Sequence, residues 1–125
     1  MATLANALIV LVVLLHLYFL VLEMFLWTTP AGMRVFRTTP EFAQQSKGLA
    51  ANQGLYNGFL AAGLLWGLSL GADGYAIKLF FLGCVVVAGA FGAATVNRRI
   101  LYFQALPAVA ASASLVLARN QGALP

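Results

Sequence analysis

The sequence predicts an all-α fold, a polytopic membrane four-helix bundle with a short amphipathic helix in a cytoplasmic loop. Three observations carry that prediction. Hydrophobic residues fill 62% of the 125 positions and charged residues 8%, against roughly 45–50% and about 25% in an ordinary soluble domain. Four charge-free stretches approach the length of about 20 residues that crosses about 30 Å of hydrocarbon at about 1.5 Å per residue. The apolar runs are continuous rather than alternating, which suits helices and not the strands of a membrane barrel. The length suits a single transmembrane domain over residues 1–125.

Residues 1–22 carry no charge, and the run continues past Glu23 to Trp27, giving a first span over about 4–27. Met1 to Asn6 lacks the basic residues of a signal peptide, and the apolar run exceeds a signal core of about 7–15 residues. It is read as a true span. The cytoplasmic loop 28–51 follows, with an internal echo in Thr28-Thr29-Pro30 and Thr38-Thr39-Pro40. In each, a threonine can cap orphan N–H groups, and proline fits the first helical position because its missing N–H is not needed there. Two helix starts are predicted. In the first helix Arg34 and Arg37 share a face while Met33 and Phe36 dip into the headgroup boundary, as in a helix lying on a membrane. The second opens with Glu41 near the positive end of its dipole and runs through Lys47 toward the second span.

The remaining spans are predicted over about 52–71, 76–96 and 100–118. Between the last two only Asn97, Arg98 and Arg99 intervene. Two arginines at mid-bilayer are costly, so a tight turn at the membrane surface is expected. Short-loop basic residues set orientation. Arg34, Arg37, Lys47, Arg98 and Arg99 stand on one side against Lys78 and Arg119 on the other. That balance puts both termini on the non-cytoplasmic side. The same scatter of basic residues between apolar runs argues against nucleic-acid binding.

Helices in lipid approach closely where residues are small. Gly54 and Gly58 are four apart, and Gly63, Gly67 and Gly71 repeat the spacing about half a turn round the helix. The second span therefore has two close-packing faces, which serve either one bundle or a homo-oligomer.

Polar side chains inside spans mark candidate sites. Glu23 follows His16 by seven residues, so at about 100° per residue the two fall within about 20° of one face, roughly 10 Å apart along the axis. Gln53 and Asn57 lie one turn apart with Asn52 and Tyr56 beside them, Asn97 ends the third span, and Gln104 stands a turn into the fourth. By depth these define a polar ring of Glu23, Gln53, Asn57, Asn97 and Gln104 toward the cytoplasm. Such a ring suits a pocket for a lipophilic or amphipathic small molecule, with His16, Asn52 and Tyr56 completing the ligand-binding set. Alternatives are a proton-coupled small-molecule transporter using Glu23, a membrane-embedded enzyme acting on a lipophilic substrate, and amides that merely glue helices together. Catalytic residues are not specified: no nucleotide loop, GxSxG elbow or HExxH occurs. Cys84 excludes an internal disulfide and a CxxC metal site, and the lone His16 leaves no metal site, so no metal and no cofactor are expected.

The stretch Leu15-His16-Leu17-Tyr18-Phe19-Leu20-Val21-Leu22-Glu23-Met24, the run Thr39-Pro40-Glu41-Phe42, and above all Asn52-Gln53-Gly54-Leu55-Tyr56-Asn57-Gly58 resemble a family of small bacterial membrane proteins known as domain of unknown function 1304. The resemblance covers nearly the whole chain and implies a four-span protein of the bacterial inner membrane, with no activity attached. In architecture alone the chain is also similar to the small multidrug-resistance transporters, where Glu23 would be the membrane glutamate, and to the four-span eicosanoid and glutathione enzymes. No catalytic residue carries over from the latter.

Overall fold

The computed structural model describes residues 1–122. They form α1 (Ala2–Met24), α2 (Pro30–Phe36), α3 (Pro40–Ser69), α4 (Tyr75–Thr95), a π-helical turn at Leu101–Ala105 and α5 (Leu106–Asn120), with no strand among the described residues. The all-α class is thereby established. Ala2–Met24, Tyr75–Thr95 and Leu101–Asn120 are each long and apolar enough to cross a membrane. α3 has 30 residues, about 45 Å at the usual rise, but Asn52, Gln53 and Asn57 make it less apolar than those three. Its start at Pro40 agrees with a helix that runs through Lys47 without a break.

The chain divides into two compact units, His16–Phe59 and Met1–Leu15 with the chain from Leu60 onward. In the latter, Ala5, Ile9, Val12 and Val13 of α1 meet Ala61 and Leu64 of α3, Leu82 and Val85 of α4, and Ala108, Ala111 and Leu115 of α5 in one apolar core. So many alanines and glycines bring backbones close, which is how helices gain contact where lipid supplies no hydrophobic drive. Gly67 packs on Lys78 and Ile77, and Gly63 against the ring of Phe81. A side chain at Gly89 would meet the backbone nitrogen of Ala105 at 2.7 Å, so α4 lies directly against the π-helical turn. That turn precedes Pro107, which has no N–H to offer the carbonyl one α-turn back. The backbone widens there, and the Leu106 N–H donates instead to the Leu101 carbonyl.

The connections are built from local chemistry. Gly71 takes φ +57° in the turn after α3, a conformation that glycine adopts without steric cost. The Nζ of Lys78, buried to 1% exposure, donates to the Gly71 carbonyl at 2.7 Å, and Arg119 stacks 4.2 Å from the centre of the Tyr75 ring. Between α4 and the π-helical turn, the Arg99 N–H donates to the Asn97 Oδ1 at 2.9 Å. Asparagine thus makes the turn for which the sequence offered neither Gly nor Pro.

In the unit His16–Phe59 both Thr-Pro pairs work as expected. Thr29 Oγ1 accepts the Gly32 N–H and Thr39 Oγ1 accepts the Phe42 N–H, each at 3.3 Å. Gly32 is pressed against the backbone of Leu26, which folds α2 back on the end of α1. Phe36 then packs 4.7 Å from the Trp27 ring centre and 6.5 Å from that of Phe19. Arg37 does not share the helix face with Arg34, because it ends α2 as a left-handed cap at φ 56°. Gly54 and Gly58 of α3 lie against Leu20, Glu23 and Met24 of α1. In the other unit Leu14, Trp66, Phe80, Val87 and Phe91 are all more than half exposed, a surface far more apolar than soluble monomers present.

Candidate functional site

Glu23 sits on the last turn of α1, where burial reduces its exposure to 9%. The Asn57 Nδ2 of α3 donates to its Oε2 at 2.7 Å, and Asn57 is itself 4% exposed. The inward stripe of α3 is set by helical spacing. Ala50, Gly54, Asn57 and Ala61 are all buried, and the steps of four, three and four residues keep them on one side. Gly54 is the enabling residue, since a Cβ there would stand 2.6 Å from Met24 Cγ and 3.1 Å from Glu23 Cβ. The helices approach at glycine, and the amide one turn later reaches the carboxylate.

Beside this pair opens a niche of about 320 Å³ lined by Glu23, Met24, Trp27, Thr28, Lys47, Gly48 and their neighbours Phe25 and Ala51. Its indole wall is fixed: Trp27 Nε1 donates to Ser46 Oγ at 3.0 Å, Ser46 donates on to the Phe42 carbonyl, and Phe36 covers the ring. A buried carboxylate, an aromatic face and an exposed ammonium thus border one space. Among the described residues no lysine or arginine forms an ion pair with Glu23.

The other predicted positions are distributed as follows. His16 is buried, at 1% exposure, on the same helix as Glu23. Asn52, Gln53 and Tyr56 stand on exposed positions of α3. Gln53 is offset from Asn57 by about 40° of helix rotation, enough to place it outside the inward stripe. Asn97 is exposed and bonded within its own turn, and Gln104 is half-buried in the π-helical turn. Both belong to the unit from Leu60 onward, whereas Glu23 and Asn57 belong to the unit His16–Phe59. Trp27 and Lys47 were not singled out by the sequence. The signal was available, because Lys47 precedes Gly54 by seven residues and so shares its helix face.

Helices with apolar outer surfaces, an interhelical carboxylate–amide bond and basic connecting segments define a small α-helical protein of membrane type. The chain belongs to the family described as Protein of unknown function (DUF1304), whose family model matches residues 10–122. It is similar to the uncharacterized protein YpaA of Lactococcus lactis subsp. lactis (strain IL1403), with 29% identity over 106 residues, 83% of this chain and 89% of that protein. No solved structure matches the chain.

Proposed function

We propose that this chain is an integral protein of the bacterial inner membrane that binds a lipophilic or amphipathic small molecule on the cytoplasmic side, with Glu23 as its charged anchor. One observation carries the reading: the Glu23 carboxylate is held by Asn57 at 2.7 Å, has no basic partner among the described residues, and borders an open niche. A buried acid kept only for architecture is normally matched by a cation, because an uncompensated charge is costly. Here the matching group is left to be supplied from outside.

The reading takes α3 as the fourth span. Ala61 and Leu64 of α3 share an apolar core with residues of α1, α4 and α5, which supports a crossing alongside them. Counting about 20 residues back from Ser69 brings the hydrocarbon boundary to about residue 50, so Lys47 and Gly48 stand at the headgroup level, and Asn57 with the facing Glu23 lies about 10 Å inside it at about 1.5 Å per residue. His16 extends the polar stripe two turns deeper.

Native mass spectrometry of protein released in gentle detergent tests the proposal, comparing wild type with Glu23→Gln. A retained molecule of defined mass, present in wild type and lost in the variant, is expected. Identical spectra without any retained mass would overturn it.

A further inference from the structure

We propose that the niche beside Glu23 receives the headgroup of a zwitterionic aminophospholipid, its primary ammonium at Glu23 and its phosphate at Lys47. The inference rests on the binding reading above and names the ligand class. Size comes first. At about 320 Å³ the niche lies at the lower end of the range of about 300–1,000 Å³ for small-molecule pockets. It can hold a headgroup but not acyl chains, and a two-tailed lipid can leave its chains in the bilayer.

The order of charges is the second argument. Glu23 is buried at the inner end, and Lys47, on the same niche, is exposed. A purely anionic head would bring its charge to the Glu23 carboxylate, and a purely cationic one would meet the Lys47 ammonium. A head with its cation inward and its anion outward satisfies both. The indole of Trp27, pinned by Ser46 and Phe36, offers a face that attracts a cation, and tryptophan is at home at headgroup depth.

The acceptor positions left on Glu23 favour a primary ammonium over a quaternary one. Asn57 occupies one site on Oε2, and a carboxylate accepts at about four lone-pair positions. An –NH₃⁺ group can donate to those that remain, whereas a trimethylated nitrogen has no N–H. Gly48 keeps the wall of the niche low, since a Cβ placed there would meet nothing within 4 Å.

The test titrates lipid-stripped, full-length protein in detergent with phosphatidylethanolamine, phosphatidylcholine and phosphatidylglycerol of matched chains, and with soluble O-phosphoethanolamine. Bound populations are read by native mass spectrometry for wild type, Glu23→Gln and Gly48→Leu. Wild type is expected to hold phosphatidylethanolamine at least about tenfold more tightly than the other two lipids. Glu23→Gln should erase that preference, and Gly48→Leu, with helix content and unfolding midpoint no lower than wild type, should weaken all binding at the niche. Equal binding of the three lipids by wild type, or a preference that survives Glu23→Gln, overturns the assignment. A different retained mass that depends on both Glu23 and Gly48 overturns the headgroup while leaving the binding reading in place. Loss of every Glu23-dependent mass overturns both. Soluble O-phosphoethanolamine binding as tightly as the lipid would overturn a membrane source and keep the headgroup chemistry.

Discussion

Asn57 Nδ2 stands 2.7 Å from Glu23 Oε2 and joins the middle of α3 to the last turn of α1. The bond depends on Gly54, where a Cβ would meet Met24 Cγ at 2.6 Å and the Leu20 carbonyl at 3.2 Å. Close packing and polar pairing are therefore one device. The glycine admits the helix, and the amide then neutralises part of the desolvation penalty of the acid.

Asn57→Ala should destabilise the protein by about 1–3 kcal/mol, since it leaves a buried carboxylate without its donor. Glu23→Gln should cost less than about 1 kcal/mol, because an amide oxygen still accepts from Asn57. A double-mutant cycle on Glu23→Ala and Asn57→Ala should return a coupling of about 0.6–1.7 kcal/mol, the range for interhelical bonds in membranes. Unfolding in mixed detergent micelles measures all three. A coupling of zero would mean that the pair contributes no interaction beyond packing.

The glycines of α3 should rank by what a new methyl group would strike. Gly54→Ala meets backbone and the Glu23 and Met24 stems, so the helices must separate; a loss of about 1–3 kcal/mol is expected. Gly58→Ala meets only the flexible Leu20 Cδ1 at 2.8 Å, and its loss should be smaller. Gly48→Ala strikes nothing and should stabilise α3 by about 0.5–1 kcal/mol through helix propensity. Thermal unfolding of the three variants checks the order, and a Gly48→Ala loss larger than that of Gly54→Ala would contradict the packing described.

Much of this was legible in the sequence because short-range rules governed it. The two Thr-Pro pairs start helices, the glycine spacing marks the faces of α3, and the seven-residue step from His16 to Glu23 puts both on a buried side. What the sequence left open was rotation. Gln53 and Asn57 differ by about 40° around one helix, and only the seat of Gly54 against α1 decides which of them faces inward. Lys47 and Trp27 do not stand out as site residues in the sequence because each has an ordinary explanation alone, as a loop charge and as the end of an apolar span. Their adjacency arises only once α3 folds back along the end of α1. The π-helical turn was equally hidden, since Pro107 alone does not say whether a helix kinks, stops or widens.

Lys78 gives a further prediction. Its buried ammonium bonds the Gly71 carbonyl just past the C-terminal end of α3, where the helix dipole favours a cation. Lys78→Met keeps the stem packed against Gly67 but leaves that carbonyl without its donor. A loss of about 1.5–3 kcal/mol is expected, as for hydrogen bonds to charged groups. A gain in stability would show instead that the desolvation penalty of the ammonium outweighs its bond.

The last prediction concerns how often the chain crosses the membrane. If α3 crosses, Arg34, Arg37, Lys47, Arg98 and Arg99 face the cytoplasm and Lys78 and Arg119 face away. If α3 stays on one side, Lys78 and Arg119 join Arg34, Arg37 and Lys47, and Arg98 and Arg99 move opposite. Both arrangements place five basic residues against two, so the positive-inside rule does not separate them. The core does favour one, because Ala61 and Leu64 of α3 pack among residues of the three most apolar segments. Single cysteines at Arg34, Asp73 and Arg98 in a Cys84→Ser background decide the matter when an impermeant thiol reagent is applied to intact cells. Labelling at position 73 with protection at 34 and 98 is the expected pattern. Labelling at 98 with protection at 34 and 73 would leave α3 on the cytoplasmic face and move Asn57 out of the membrane boundary.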